Sequence, residues 1–268
     1  MGDFWTLFLM FTIYSFLGWI TESIFCSVPA KKFINRGFLN GPFCPIYGVG
    51  GILILSILAP FQHNIFLLYF AGVIITTVLE YITGFALEKI FHTSYWDYSE
   101  HKFNYKGRIC LDNSLLFGLM CVVGIYVLQP TLLRLVAMIP ANLLPVISIV
   151  FLIYFVCDTI VTVHTILQLN GKLKELQQIL DEIKQKASAY KTETIESIQA
   201  AFGNLLDEDA KAYLKSLFEK KEKIETGSKA LQRRLINAFP EMKSITNNES
   251  LQRIKKAIYE KTQRIKKK

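Results

Sequence analysis

Charge is scarce along the first two thirds of this chain of 268 residues: residues 1–169 hold eight basic and eight acidic side chains and net to zero. The other 99 residues hold 22 basic and 14 acidic ones, so the whole formal charge of +8 sits in 170–268. A neutral stretch joined to a basic one excludes a pair of ordinary soluble domains and fits a nucleic-acid binder poorly. The five cysteines (Cys26, Cys44, Cys110, Cys121, Cys157) make no Cys-x-x-Cys pair and no Cys/His zinc spacing, so no metal site and no cofactor are expected. No Gly-x4-Gly-Lys-Ser/Thr segment occurs, which excludes ATP hydrolysis through a phosphate loop of that kind. Nor does a basic run precede the first apolar stretch, which opens after Met-Gly-Asp and is followed by Lys31 and Lys32. That order is expected of an uncleaved anchor with its N-terminus outside.

Apolar residues are plentiful instead, at 51% of the chain, with a mean hydropathy of +0.31. A bilayer span takes about 20 predominantly apolar residues, and four stretches supply them, at 4–28, 65–90, 111–138 and 143–169. A fifth, at 43–60, is shorter and opens with Gly41, Pro42, Pro45, Gly48, Gly50 and Gly51. It either crosses the membrane or re-enters as a broken element of the kind tolerated beside protein or a water cavity. The fold class expected is an all-α polytopic membrane bundle of about five segments over 1–169, followed by a cytoplasmic, basic, helical and partly coiled-coil tail over 170–268. Short loops set the orientation through their Lys and Arg. Loop 29–42 has Lys31, Lys32 and Arg36, and loop 91–110 has Lys102, Lys106 and Arg108, whereas 60–64 has neither residue type. With five crossings both basic loops and the tail are expected in the cytoplasm of a multi-pass cell-membrane protein, with the N-terminus outside.

The two basic loops carry more than topology signals. Asn35 and Arg36 in the first, and Trp96, Asp97, Asn104 and Arg108 in the second, bring together planar guanidinium donors, acceptors and stacking surface. Such groups suit phosphate or carboxylate recognition. Trp and Tyr also gather at headgroup depth as interfacial anchors, but Asn35, Asp97, Asn104 and Asp112 anchor nothing in lipid. Lys32-Phe33, Asn35 and Gly37 are echoed by Lys102-Phe103, Asn104 and Gly107, a faint sign of a two-span unit repeated in parallel. Acids inside apolar spans are costly and face a bundle interior, a cavity or a partner. Glu22, Glu80, Glu88 and Asp158 are the acids so placed, Glu80 near mid-span. Thr77, Tyr81, Gly84 and Glu88 read as a polar stripe on one helix. The candidate binding site is therefore Asn35, Arg36, Glu80, Glu88, Trp96, Asp97, Asn104 and Arg108, with Arg36, Glu88, Asp97, Asn104 and Arg108 expected to converge at the cytoplasmic mouth.

Beyond the last span, Leu169, Leu173, Leu176, Leu180, Ile183, Ala187 and Tyr190 step by four and three, a heptad seam. Helices are expected at 194–202, 208–225, 229–238 and 249–266, broken at Gly203-Asn204, Gly227-Ser228 and Phe239-Pro240. The last of these helices is basic and amphipathic, suited either to anionic headgroups or to solvent.

The residues Asn35-Arg36-Gly37-Phe38-Leu39 with Gly41-Pro42 and Pro45-Ile46-Tyr47-Gly48, then Leu87-Glu88, Trp96-Asp97-Tyr98-Ser99, Asn104 and Gly107-Arg108-Ile109-Cys110-Leu111, resemble one family. It is the family labelled putative ABC-transporter type IV, or putative ABC-transporter permease (CmpB-like). Ala238-Phe239-Pro240-Glu241-Met242 is similar to the family's tail. The resemblance implies a permease-like membrane component of a transporter, working with a separate ATPase subunit. Two rivals stand beside it. One is an integral-membrane enzyme on a lipid or lipid-linked substrate, with Arg36 and Arg108 on a headgroup and Asp97 or Glu88 as general acid/base. The other is a scaffold whose coiled tail recruits a partner or a second copy of the chain. The partners expected are the lipid bilayer, an ATPase subunit and a tail-mediated homo-oligomer, with no nucleic acid.

Overall fold

A computed structural model describes residues 4–189 and 208–266, and it is helical almost throughout. The helix expected at 194–202, the break at Gly203-Asn204 and the last seam residue, Tyr190, lie outside the described residues. The described residues form two compact units, one drawn from 1–164 with 237–243 and the other from 165–236 with 244–268.

In the first unit four helices are long and apolar enough to cross a membrane: Phe4–Ala30, Ile65–Phe91, Leu111–Ala137 and one that begins at Leu143. Helix α1 (Phe4–Ala30) ends where Lys31 turns left-handed, at φ 49°. It is followed by α2 (Pro45–Leu53), whose leading proline supplies a φ already suited to the first turn. Helix α3 (Ile65–Phe91) is capped by Asn64, whose side-chain oxygen accepts the N–H groups of Phe66 and Leu67, each at 3.1 Å. Its other end stops at His92, again left-handed. Helices α4 (Leu111–Val123) and α5 (Gln129–Ala137) are joined by a π-helical turn, Gly124–Leu128. Helix α6 (Leu143–Ala189) is the longest described.

Two hairpins are built alike. The first pairs α1 with α2, and the second pairs α3 with α4. Each returning arm has a π-helical turn, Ile54–Leu58 in one and Gly124–Leu128 in the other, and each turn is followed two residues later by a proline, Pro60 or Pro130. Proline has no N–H to give the preceding turn and its ring crowds the carbonyl four residues back, so the helix widens there. With its π and 3-10 turns the first returning arm, Pro45–Phe61, has only 17 residues. At about 1.5 Å per residue that is roughly 25 Å, against about 30 Å for a hydrocarbon core. The segment that sequence marks as short is thus a short apolar helix.

Glycines let the hairpin arms close up. A Cβ on Gly48 would lie 2.3 Å from the Ser15 hydroxyl, one on Gly51 2.6 Å from the Tyr14 ring, and one on Gly118 2.4 Å from Val73. Small residues are the usual means of helix approach where hydrophobic burial gives no advantage over lipid. Leu9, Met10, Tyr14, Leu132, Val136 and Leu144 form one buried cluster, and Leu39, Phe43 and Phe155 form another. Phe66, Phe70, Ile74, Val78, Ile82 and Phe85 make an exposed apolar stripe along α3, a surface that lipid tails suit.

The second unit contains α7 (Glu208–Thr226), most of α8 (Ala230–Ala238) and α9 (Asn248–Lys266), together with the later part of α6. Leu169, Leu173, Leu176, Leu180 and Ile183 of the heptad seam are buried, as are Leu214, Leu217, Leu235, Leu251, Ile254 and Ile258. Polar pairs run from α6 to its neighbours: Ser250 donates to Gln177 at 2.9 Å, and Lys220 lies 3.6 Å from Glu175. Within this unit the seam packs against helices of its own chain.

Candidate functional site

The loops that follow α1 and α3 share one end of the first unit, where Phe38 and Tyr95 meet at 5.4 Å between ring centroids. Each loop is fastened by an arginine to a glutamate on the helix before it. Arg36 Nε lies 3.6 Å from Glu22, and Arg108 Nε donates to Glu88 at 2.9 Å, with a second, closer contact from its Nη2. These matched pairs give the faint repeat in the sequence a structural counterpart.

The first loop is held by side chains reaching to the backbone. Asn35 Oδ1 accepts the Trp19 indole N–H at 2.7 Å and the Gly37 N–H at 3.1 Å. Asp158, on α6, accepts the N–H groups of Asn40 and Gly41 at 3.0 and 2.8 Å, while Asn40 Nδ2 donates to Thr162 at 2.9 Å. The second loop turns through Lys106 and Gly107, both at positive φ, and is closed by the Arg108 N–H on the Tyr105 carbonyl at 3.1 Å. Asn104 Nδ2 donates to the carbonyls of Ser99 and His101, and its side-chain oxygen accepts from Gly107 N–H. Trp96 Nε1 donates to the Arg108 carbonyl at 2.9 Å.

Residues 237–243 lie across both loops. Arg36 Nη1 donates to the Ala238 carbonyl at 2.6 Å, and its guanidinium stands 4.7 Å from the Phe239 ring. Phe239 also meets Tyr95 at 5.2 Å and Phe38 at 6.5 Å. Lys243 pairs with Asp97, which also accepts from Ser99. The Lys243 ammonium and the Ser99 donors hold the Asp97 carboxyl down at about 2.

Between the hairpins is a cavity of about 560 Å³. Its wall takes Tyr14, Leu17 and Glu22 from α1, Ile46, Tyr47 and Gly50 from α2, Thr76, Leu79, Glu80 and Thr83 from α3, and Phe117 and Met120 from α4. At the loop end Arg36, Trp96, Tyr98 and Phe239 join it. The Tyr47 hydroxyl donates to Glu22 at 2.6 Å and the Tyr98 hydroxyl to Glu80 at 3.1 Å. Burial, with Glu80 and Glu22 nearby, holds the Tyr98 phenol well above its ordinary value, so it remains a donor. Glu80 is 6% exposed, and its second oxygen has no hydrogen-bond partner among the described residues.

Of the eight residues singled out from the sequence, Arg36, Glu80 and Trp96 wall this cavity. Asn35, Glu88, Asp97, Asn104 and Arg108 instead hold the loops through the bonds above. The polar stripe on α3 keeps Tyr81, Gly84 and Glu88 together on the Arg108 side, and Glu80 is not part of it. Eight residues turn a helix by two turns and about 80°, so Glu88 does not lie beneath Glu80. Thr76, Glu80 and Thr83 look into the cavity, whereas Tyr81 and Glu88 bond Arg108. Sequence reading left Tyr47 and Tyr98 out of the site; an isolated Tyr near a membrane boundary carries no sign that it reaches a distant carboxyl. Among the described residues no three His, Cys, Asp or Glu side chains gather at a metal-holding distance.

The model of a family described as putative ABC-transporter type IV matches residues 9–163, more than half of the chain and nearly all of the part that forms the two hairpins. No curated protein and no protein of solved structure matches the chain.

Proposed function

The chain belongs to the putative ABC-transporter type IV family, and from that premise we propose that it is a permease-like membrane component whose substrate path is the cavity between the two hairpins. The observation that carries this reading is the cavity itself: it lies where two like-built hairpins meet and holds two acids of membrane segments, Glu22 and Glu80. Substrate sites between structural repeats are the common arrangement in secondary transporters. The chain has no phosphate-loop segment, so in this reading ATP hydrolysis falls to a separate subunit.

The orientation proposed has five crossings, the N-terminus outside and the loop end in the cytoplasm of a cell-membrane protein. It is supported by the Lys and Arg of the two loops and by the meeting of those loops at one end, since Pro45–Phe61 must then run away from that end for α3 to return to it. The enzyme reading is weaker. Its acid/base candidates are committed inside the protein, Glu88 to Arg108 and Asp97 to Lys243 and Ser99.

Filling the cavity tests the reading. Thr83→Trp and Met120→Trp narrow it from facing helices, whereas Phe66→Trp changes only an exposed α3 position. In a host lacking this chain, at matched membrane abundance, the first two variants are expected to lose complementation and the third to keep it. Full complementation by the Thr83→Trp/Met120→Trp double variant overturns the proposal.

A further inference from the structure

We propose that the cavity binds an amphiphilic organic cation, with an ammonium head at Glu80 and an apolar body along the hairpin walls. The inference rests on the cavity being the substrate path and adds the chemical class of what occupies it.

Glu80 carries the case. It is more than nine-tenths buried, it lines the cavity, and one carboxyl oxygen takes the Tyr98 hydroxyl at 3.1 Å. The other oxygen has no partner among the described residues. A carboxyl so placed in an apolar segment is costly unless something donates to it or neutralises it. The basic side chain in the cavity wall, Arg36, is turned elsewhere: Nε toward Glu22, Nη1 on the Ala238 carbonyl, its plane on Phe239. The wall thus offers two carboxyls and one guanidinium that is already engaged, a net demand for positive charge. An anionic ligand would meet Glu80 and Glu22 without a free cation of the wall to balance it.

The rest of the wall defines the body of the ligand. Leu17, Ile46, Leu79, Leu87, Phe117 and Met120 present apolar surface, and Trp96 and Tyr98 add aromatic rings near the acid end. Aromatic faces attract ammonium groups, with quaternary ones as the best-known case. A volume of about 560 Å³ lies within the roughly 300–1,000 Å³ of small-molecule pockets. Two carboxyls alone make a sparse ligand set for a divalent metal, whereas one carboxyl, aromatic rings and an apolar wall suit an organic cation.

The test uses the full chain in nanodiscs of phosphatidylcholine and three probes of one shape: benzyltrimethylammonium, its neutral isostere neopentylbenzene, and the anion benzylsulfonate. Equilibrium dialysis is expected to show saturable binding of the ammonium probe, at least tenfold tighter than that of either other probe. Glu80→Gln is expected to weaken the ammonium probe at least tenfold and leave neopentylbenzene unchanged, while Asp112→Asn, an acid outside the cavity, binds like the parent. If Glu80→Gln does not fold, the three-probe comparison on the parent chain decides alone. Equal affinity for all three probes, preference for benzylsulfonate, absence of saturable ammonium binding, or unchanged ammonium affinity in Glu80→Gln would each overturn the inference. The two proposals fail separately: if cavity-filling variants lose complementation but no probe shows charge preference, the path stands and the ligand class falls.

Discussion

Arg36 and Arg108 occupy matching places on matching loops, yet their surroundings differ. Arg108 is bound to Glu88 and Tyr81, while Arg36 holds Glu22 with one edge, the Ala238 carbonyl with another and Phe239 with its face. A lysine has neither the fork nor the plane for this. Arg36→Lys is therefore expected to cost nearly as much as Arg36→Ala, about 1–3 kcal/mol in unfolding by denaturing detergent, the scale of hydrogen bonds to a charged group. Gly107 is required twice over, by its φ of +67° and by Asp97 Oδ1 at 2.6 Å from any Cβ. Gly107→Ala should loosen the second loop by about 1–3 kcal/mol, read as faster tryptic cleavage after Lys106 and Arg108. Asp97 is held low by Lys243 and Ser99, at about 2 against an ordinary 3.8. A lowered carboxyl pKa means that the contact with residues 237–243 gives its full stabilisation above the ordinary value and loses it as pH falls through about 2. A carboxyl-carbon NMR titration should place the Asp97 midpoint near 2 in the parent and nearer its ordinary value in Lys243→Met.

Among the elements, the returning arms show what glycine permits and where it is dispensable. Gly48 and Gly51 of α2 touch α1 at distances that leave no room for a methyl group, whereas nothing lies within 4 Å of a Cβ built on Gly124. Gly51→Val should separate α1 from α2 and cost several kcal/mol of stability, with overpacking contributing about 1–3. Gly124→Ala should be tolerated or slightly stabilising. Detergent-unfolding curves of the two variants check both outcomes. Much of this element layer was legible from the sequence. The expected segments 65–90 and 111–138 correspond to helices Ile65–Phe91 and Leu111–Ala137, and 208–225, 229–238 and 249–266 to Glu208–Thr226, Ala230–Ala238 and Asn248–Lys266. Apolar runs, caps and prolines act within a few residues, so a one-dimensional reading captures them. The π turns escaped because a proline announces a disturbed helix without saying how the preceding turn adjusts.

For the whole molecule, the five-crossing orientation predicts opposite fates for two exposed positions. A cysteine at Lys102 should resist impermeant thiol reagents in intact cells, and one at His63 should label. Ready labelling at Lys102 with protection at His63 would reverse the orientation. The sequence alone determined that this chain has long apolar helices, that its net charge is confined to the far part, and which family it resembles, because hydropathy, net charge and motif spacing are properties of consecutive residues. Tertiary structure decided which acid does what. In one dimension Glu80 stands apart near mid-span, while Glu22 and Glu88 lie near span ends with their arginine partners left open. Folding gives Glu88 to Arg108 across a loop, places Glu22 between Tyr47 and Arg36, and leaves Glu80 facing a cavity with the Tyr98 hydroxyl donating to it. It also brings Phe239 and Lys243 back onto loops some 140 to 200 positions away in the chain. Those pairings depend on which surfaces meet when the hairpins pack, and the spacing of residues along the chain does not encode that directly.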